Sequence, residues 1–162
     1  MKTLLLMRHA KAVPSKGGLA DFDRALLAQG RMAAAQVGDV LKSENVQVDV
    51  ALSSPAARAR ETIETVLQAA GLSVEVRYDQ RLYEGGTADL LEVISEMEDD
   101  ASNLLLVGHN PVLEELVAAL TGQAVQLSPG TLAKINLDLK NWRSIGKTKG
   151  TLDRVVRPQE LD

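Results

Sequence analysis

Two stretches of the chain, Thr3–Met7 and Leu104–Gly108, are apolar without alternation and too short for a helix, which predicts strands buried on both faces. A third, Val46–Leu52, alternates and then turns fully apolar, so it reads as another strand. Between them the period changes. Leu26, Leu27, Met32, Ala33, Val37, Val40 and Leu41 recur at helical spacing and predict a helix over Leu26–Leu41. Ser53-Ser54-Pro55 offers an N-cap serine followed by proline at the first helical position, opening a helix that runs to Ala70 and closes at Gly71. Asn110-Pro111 repeats the device before a helix over Val112–Leu120, closed by Gly122. Leu90, Leu91, Val93, Ile94 and Met97 mark a further helix, whose tail is the acidic run Glu96–Asp100. Val74 and Val76 mark a weak strand. Leu132–Leu139 alternates cleanly, as an edge or antiparallel strand does, and Val155-Val156 is a last short apolar pair before Pro158. Strands alternating with helices predict an α/β fold of three layers, a mostly parallel, doubly wound sheet flanked by helices, with residues 1–162 forming one domain. In such sheets ligands bind beyond the carboxyl ends of the strands.

Composition narrows the chemistry. The chain has no cysteine, which excludes thiol nucleophiles, disulfides, zinc–cysteine sites and iron–sulfur clusters, and suits a reducing compartment. A net charge of -4 and 2% aromatic residues argue against nucleic acid as a partner, since neither a basic face nor a base-stacking platform is present. The apolar start is interrupted at Arg8-His9, before a secretory core is complete, and no stretch approaches a membrane span. The expectation is a cytoplasmic protein without membrane partners.

The predicted strand ends deliver Arg8-His9, Ser53-Ser54 with Arg58 one helical turn on, and His109. His9 and His109 are the only two histidines. A single histidine would be read as a structural one; two on the same sheet edge point to a shared site. Two predicted helix N-termini face that edge, and with Arg8 and Arg58 they form a cationic pocket in an acidic protein. Arginine forks match phosphate oxygens, so phosphate is the natural anion. Arg60 lies two positions from Arg58 and faces elsewhere, where Glu64 at i,i+4 can pair with it. Without a thiol or a metal-ligand motif, histidine is the candidate nucleophile, and neighbouring arginines hold it neutral, as attack on phosphorus requires. No metal or cofactor is expected.

These residues carry a family resemblance. Leu5-Leu6-Met7-Arg8-His9-Ala10 resembles the Arg-His-Gly signature of the histidine phosphatase (phosphoglycerate mutase-like) superfamily, in an Arg-His-Ala form. Ser53–Thr62 resembles that family's second phosphate-binding segment, and Val107-Gly108-His109-Asn110 its distal histidine. Asp21-Phe22-Asp23-Arg24, followed by Gly30, resembles the loop that brings a further arginine to the phosphate. Order, spacing and length, with the tail Val156-Arg157-Pro158, are most similar to the SixA branch of phosphohistidine phosphatases. The resemblance implies that His9 attacks phosphorus and is transiently phosphorylated, that Arg8, Arg24, Arg58 and His109 bind the transferring oxygens, and that water then hydrolyses the phosphohistidine. Larger relatives add a carboxylic acid that protonates the leaving group. Glu84, before Gly85-Gly86, is the candidate here; the alternative for it is an ordinary loop carboxylate. Lys11 adds long-range attraction or is simply a solvated loop lysine.

Only 51 positions (109 − 58) separate Arg58 from His109, and predicted elements fill them, leaving little for a lid. An open site suits a phosphohistidine-bearing protein, such as a histidine phosphotransfer domain in a phosphorelay. Two alternatives remain at this level: a small-molecule phosphomonoesterase of the same superfamily, and a phospho-ligand-binding module without turnover.

Overall fold

In β1 (Lys2–Arg8) successive side chains leave opposite sides of one sheet, so an unbroken leucine run serves two cores. Leu4 and Leu6 join one and Leu5 and Met7 the other. The computed structural model describes residues 1–161. Six strands, β1, β2 (Val50–Ser53), β3 (Val76–Tyr78), β4 (Asn103–Gly108), β5 (Leu132–Leu137) and β6 (Gly150–Val156), form one sheet in the order β3-β2-β4-β1-β5-β6. The first four in that order are parallel, and β5 and β6 add antiparallel pairings on the side of β1.

Helices α1 (Ala28–Ser43) and α2 (Ala57–Ala70) cover the face of Leu5, Met7, Leu105 and Val107. The short helix α3 (Arg81–Glu84) leads into α4 (Thr87–Ser95), which with α5 (Val112–Thr121) and Trp142 covers the face of Leu4, Leu6, Leu104 and Leu106. The architecture is the three-layer α/β arrangement expected. Because β4 lies between β1 and β2, their carboxyl ends are neighbours although far apart in sequence. The main chain ties them together: His9 N donates to Gly108 O (3.1 Å) and Ser54 N to Val107 O (3.1 Å).

Several expectations need correction in detail. α2 begins at Ala57, three residues beyond the proposed cap Ser54, and α5 at Val112, two beyond Asn110; the residues that do flank the helices, Ala56 and Pro111, make no side-chain cap. Gly71 does close α2, with φ 70, and Gly122 closes α5, with φ 76. The acidic run after α4 is not a helix tail, because the helix ends at Ser95; Glu96 and Glu98 instead pair with Arg81 and Arg77. The strand around Val155-Val156 extends back to Gly150. Its register against β5 slips between Lys134 and Ile135, which face Arg154 and Leu152, so Asp153 is extra and the period-2 pattern breaks there.

Candidate active site

The candidate site is built by turning chain sharply off three adjacent strands. After β1, Ala10 is fully buried, and its N–H donates to Thr62 Oγ1 (3.0 Å), while that hydroxyl donates to Arg58 O (2.7 Å). Thr62 therefore joins the His9 turn to the turn of α2 that carries Arg58. The chain beyond is held close by Gly30, where a Cβ would stand 2.2 Å from Lys11 O, so no other residue fits under this loop. A single turn of 3-10 helix, Asp21–Asp23, then passes over the site.

His9 is buried, and its two ring nitrogens are used in opposite senses. Nδ1 lies 2.8 Å from Ala10 O, so it carries the proton and donates. Nε2, unprotonated in that tautomer, accepts from Arg58 Nε (3.3 Å), so its one in-plane lone pair points at the guanidinium. Burial first, then the charges of Arg58, Arg8 and Arg24, push the His9 pKa down to about 4. The His109 ring centre is 5.1 Å away. Its Nε2 shares a 2.8 Å hydrogen bond with Ser54 Oγ, and burial, then His9 and Arg58, push its pKa down to about 3. Both imidazoles are neutral at ordinary pH, as sequence reasoning required of a nucleophile.

Arg58 is buried and Arg60 is exposed, so the expected division of the helix face holds. The proposed Arg60–Glu64 pair does not form: Glu64 Oε1 instead accepts from Tyr78 OH (3.3 Å). Arg58 Nη1 donates to Asp21 O (2.8 Å) and Nη2 to Asp21 Oδ2 (3.1 Å). Arg24 reaches the same carboxylate, Nη1 to Oδ1 at 2.9 Å, and is braced by Val13 O. Arg8 Nη1 donates to Leu127 O (3.1 Å), a carbonyl that also accepts from Asn110 Nδ2 (2.7 Å). Arg8, His9, Arg24, Arg58 and His109 are thus gathered at one edge. Glu84 is not drawn in: it is exposed at the end of α3, and no hydrogen bond or ion pair links it to the site among the described residues.

Two participants were invisible in the sequence. Tyr83, not Glu84, is the α3 residue facing the site; its OH donates to Asp21 Oδ2 (2.7 Å) and its ring lies 5.5 Å from His109 and 5.2 Å from Phe22. α3 is fixed by Arg81, which bridges Asp79 (2.7 Å) to Glu92 and Glu96 (both 2.9 Å). The second is Asp21, whose carboxyl is held well below the usual range by hydrogen bonds from Tyr83, Arg24 and Arg58. Their sequence separations, 62 residues for Tyr83 and 37 for Arg58, explain why spacing gave no signal. Among the described residues no cluster of three metal-ligating side chains occurs, and no helix is long and apolar enough to cross a membrane.

The arrangement is a neutral imidazole with Nε2 unprotonated, flanked by three arginines and a second imidazole, at the carboxyl edge of a parallel sheet. Residues 4–91 match the family model of the histidine phosphatase superfamily, branch 1. The chain belongs to that superfamily. It is an enzyme of the phosphatase class. An uncharacterised Mycobacterium tuberculosis protein, Rv1276c, is 38% identical over 115 residues, covering 70% of this chain and 69% of the relative. A phosphohistidine phosphatase SixA homolog of Haemophilus influenzae is 31% identical over 150 residues, covering 83% and 88%. Among solved structures, a candidate phosphohistidine phosphatase SixA from Nakamurella multipartitia superimposes with a TM-score of 0.87 at 30% identity, covering 97% of this chain and 96% of that one. The phosphatase is therefore similar to SixA-type chains across nearly its whole length, including the His109 segment beyond the family match.

Proposed function

We propose that this phosphatase hydrolyses phosphohistidine on another protein, with His9 as nucleophile. The observation that carries the reading is the His9 tautomer: the proton is spent on Ala10 O, and the unprotonated Nε2 points into the arginine cluster, where Arg58 Nε holds its lone pair until phosphorus takes that place. In the first step Nε2 attacks phosphorus while the substrate's P–N bond breaks; its electron pair stays on the departing imidazole, which takes a proton from water. In the second, water attacks phospho-His9, the P–Nε2 bond breaks, and inorganic phosphate leaves with the proton balance restored to solvent. Arg8, Arg24, Arg58 and His109 stabilise the charge spread over the equatorial oxygens. The three arginines supply the positive charge that a metal would, and His109 adds a neutral hydrogen-bonding group, so the proposed reaction needs no metal.

Leaving-group chemistry supports the substrate class. The carboxyl hydrogen-bonded into the site, Asp21, is held ionised and so has no proton to give an alkoxide. Tyr83 OH is a poor acid as well, because its hydrogen bond to Asp21, then burial, push its pKa up. Imidazole departs with less help than an alkoxide. The chain between β2 and β4 is spent on α2, β3, α3 and α4, which leaves no large insertion to enclose a small substrate. A partner protein brings its own docking surface, and a histidine phosphotransfer domain of a cytoplasmic phosphorelay fits that description. The test is a turnover comparison, with and without EDTA, of a phosphohistidine protein, a phosphoserine peptide and sugar phosphates. The phosphohistidine protein should give the highest kcat/KM, unchanged by EDTA. A sugar phosphate preferred, or activity lost to EDTA and restored by a divalent ion, would overturn the reading.

A further inference from the structure

We infer that the Asp21 carboxylate is a built-in stand-in for the substrate's phosphoryl group, holding Arg24, Arg58 and Tyr83 in place until a phosphoryl group displaces it. This rests on the phosphate-site reading above. One carboxylate collects donors from three separate elements: Arg24 on the loop after β1, Arg58 on α2 and Tyr83 on α3, at 2.9, 3.1 and 2.7 Å. Arg58 is also the side chain whose Nε sits on the attacking nitrogen of His9. The carboxylate therefore occupies guanidinium donors right beside the nucleophile, where phosphoryl oxygens would have to bind.

Its setting favours exchange over permanent pairing. The Asp21 side chain is 48% exposed, whereas Arg58 is 8% exposed, so the anion has water to move into while the cation stays buried. Arg58 Nη1 is held separately by the backbone carbonyl of Asp21. Rotation of the Asp21 side chain therefore frees Nη2 without unmooring the guanidinium or opening the turn. Before exchange the carboxylate neutralises part of the arginine charge and keeps it preorganised. After exchange it competes with phosphate from a tethered position, at high effective concentration, which favours release of product phosphate. Asp23, on the same turn, has no hydrogen bond or ion pair through its side chain among the described residues, so it provides an internal control.

The experiment measures binding of inorganic phosphate and vanadate by titration calorimetry, and their competitive inhibition of turnover, for the whole chain. Asp21→Asn should tighten both ligands by about fivefold, the upper end of what one exposed ion pair is worth. Asp23→Asn, with the same change in net charge, should stay within about twofold of wild type. Asp21→Glu, which restores a carboxylate, should bind more weakly than Asp21→Asn, and circular dichroism establishes that each variant is folded. Weaker phosphate binding in Asp21→Asn would overturn the inference, because it would make Asp21 a support that orients Arg58. Equal tightening in Asp23→Asn would overturn it too, by reducing the effect to long-range charge. Failure of every variant, wild type included, to bind either anion would instead remove the phosphate-site reading itself.

Discussion

Lys2 opens β1 and Arg8 closes it, and the surroundings of the two cations differ in how completely they are paired. Lys2 is buried, donates to the carbonyls of Asp99 and Ala101, and lies 5.5 Å from the centre of the Trp142 ring. Trp142 Nε1 shares the Ala101 carbonyl at 2.7 Å. At the other end Arg8 Nε, His109 Nδ1 and Asn110 Oδ1 are buried without a partner, and all three belong to the catalytic edge. An unpaired buried polar atom costs about 1–3 kcal/mol, so a fold tolerates a donor such as Arg8 Nε where an anionic ligand completes it. The amino edge of the sheet is finished for stability. The carboxyl edge is left incomplete, and that is where the proposed chemistry lies.

Substitution at the start of β1 and just past its end should therefore separate activity from stability. His9→Ala should lower kcat by at least about a thousandfold, since it removes the proposed nucleophile, with little change in Tm. Quenching the wild type during turnover without acid should trap phosphate on His9. Lys2→Met should do the reverse: Tm falls, by an amount matching about 1–3 kcal/mol from lost charged hydrogen bonds, while kcat stays near wild type. Turnover surviving in His9→Ala, or a label on His109, would erase the contrast.

The next contrast lies within α2. Arg58→Ala should reduce kcat/KM by at least about tenfold, the loss expected for a charge-assisted hydrogen bond, and Arg60→Ala by less than about twofold. Steady-state kinetics on both variants decides this, and equal losses would mean that the helix presents its other face to substrate.

A pH titration sharpens the comparison further. His9 and His109 have pKa values pushed down to about 4 and about 3, against 6.5 when unperturbed. As pH falls through about 6.5 the unfolded chain takes up protons that the folded imidazoles refuse, so stability present above that pH is lost progressively toward pH 4 and below. Tm should fall across this range, less so in His9→Gln. The two histidine Cε1 proton resonances should stay fixed between pH 8 and 5.5; a midpoint near 6.5 for either would show an imidazole open to water.

Legibility in the sequence followed the reach of each interaction. β1, β4, α1 and the ends of α2 and α5 depend on local period and on Gly71 and Gly122, and they could be read directly. Arg8, His9, Arg58 and His109 were legible because each sits at or one turn beyond a strand end. The caps were read only in part: the Ser54 hydroxyl does accept from Ala56 N (3.2 Å) but also meets His109, 55 residues on, and the Asn110 amide reaches Leu127. Asp21 and Tyr83 depend wholly on the turn over the site and on α3, so no local pattern announced them. β6 was shortened in reading because its bulge at Asp153 breaks the alternation.

The smallest expected effect concerns Glu84, which sits beside Tyr83 and yet outside the hydrogen-bonded cluster. A general acid that assists departure of a poor leaving group contributes about 10²–10⁴-fold when positioned on the reacting oxygen. Glu84 is exposed and linked to nothing in the site, so its help should fall short of that range even for an alkoxide, and imidazole scarcely needs it. Glu84→Gln should therefore change kcat/KM for a phosphohistidine protein by less than about twofold and lower it for a phosphomonoester by more, though by less than about a hundredfold. Measuring both substrates on the same preparation gives the ratio directly. Equal losses on the two would place the carboxyl in the chemistry of both, and the leaving-group argument for phosphohistidine would fail with it.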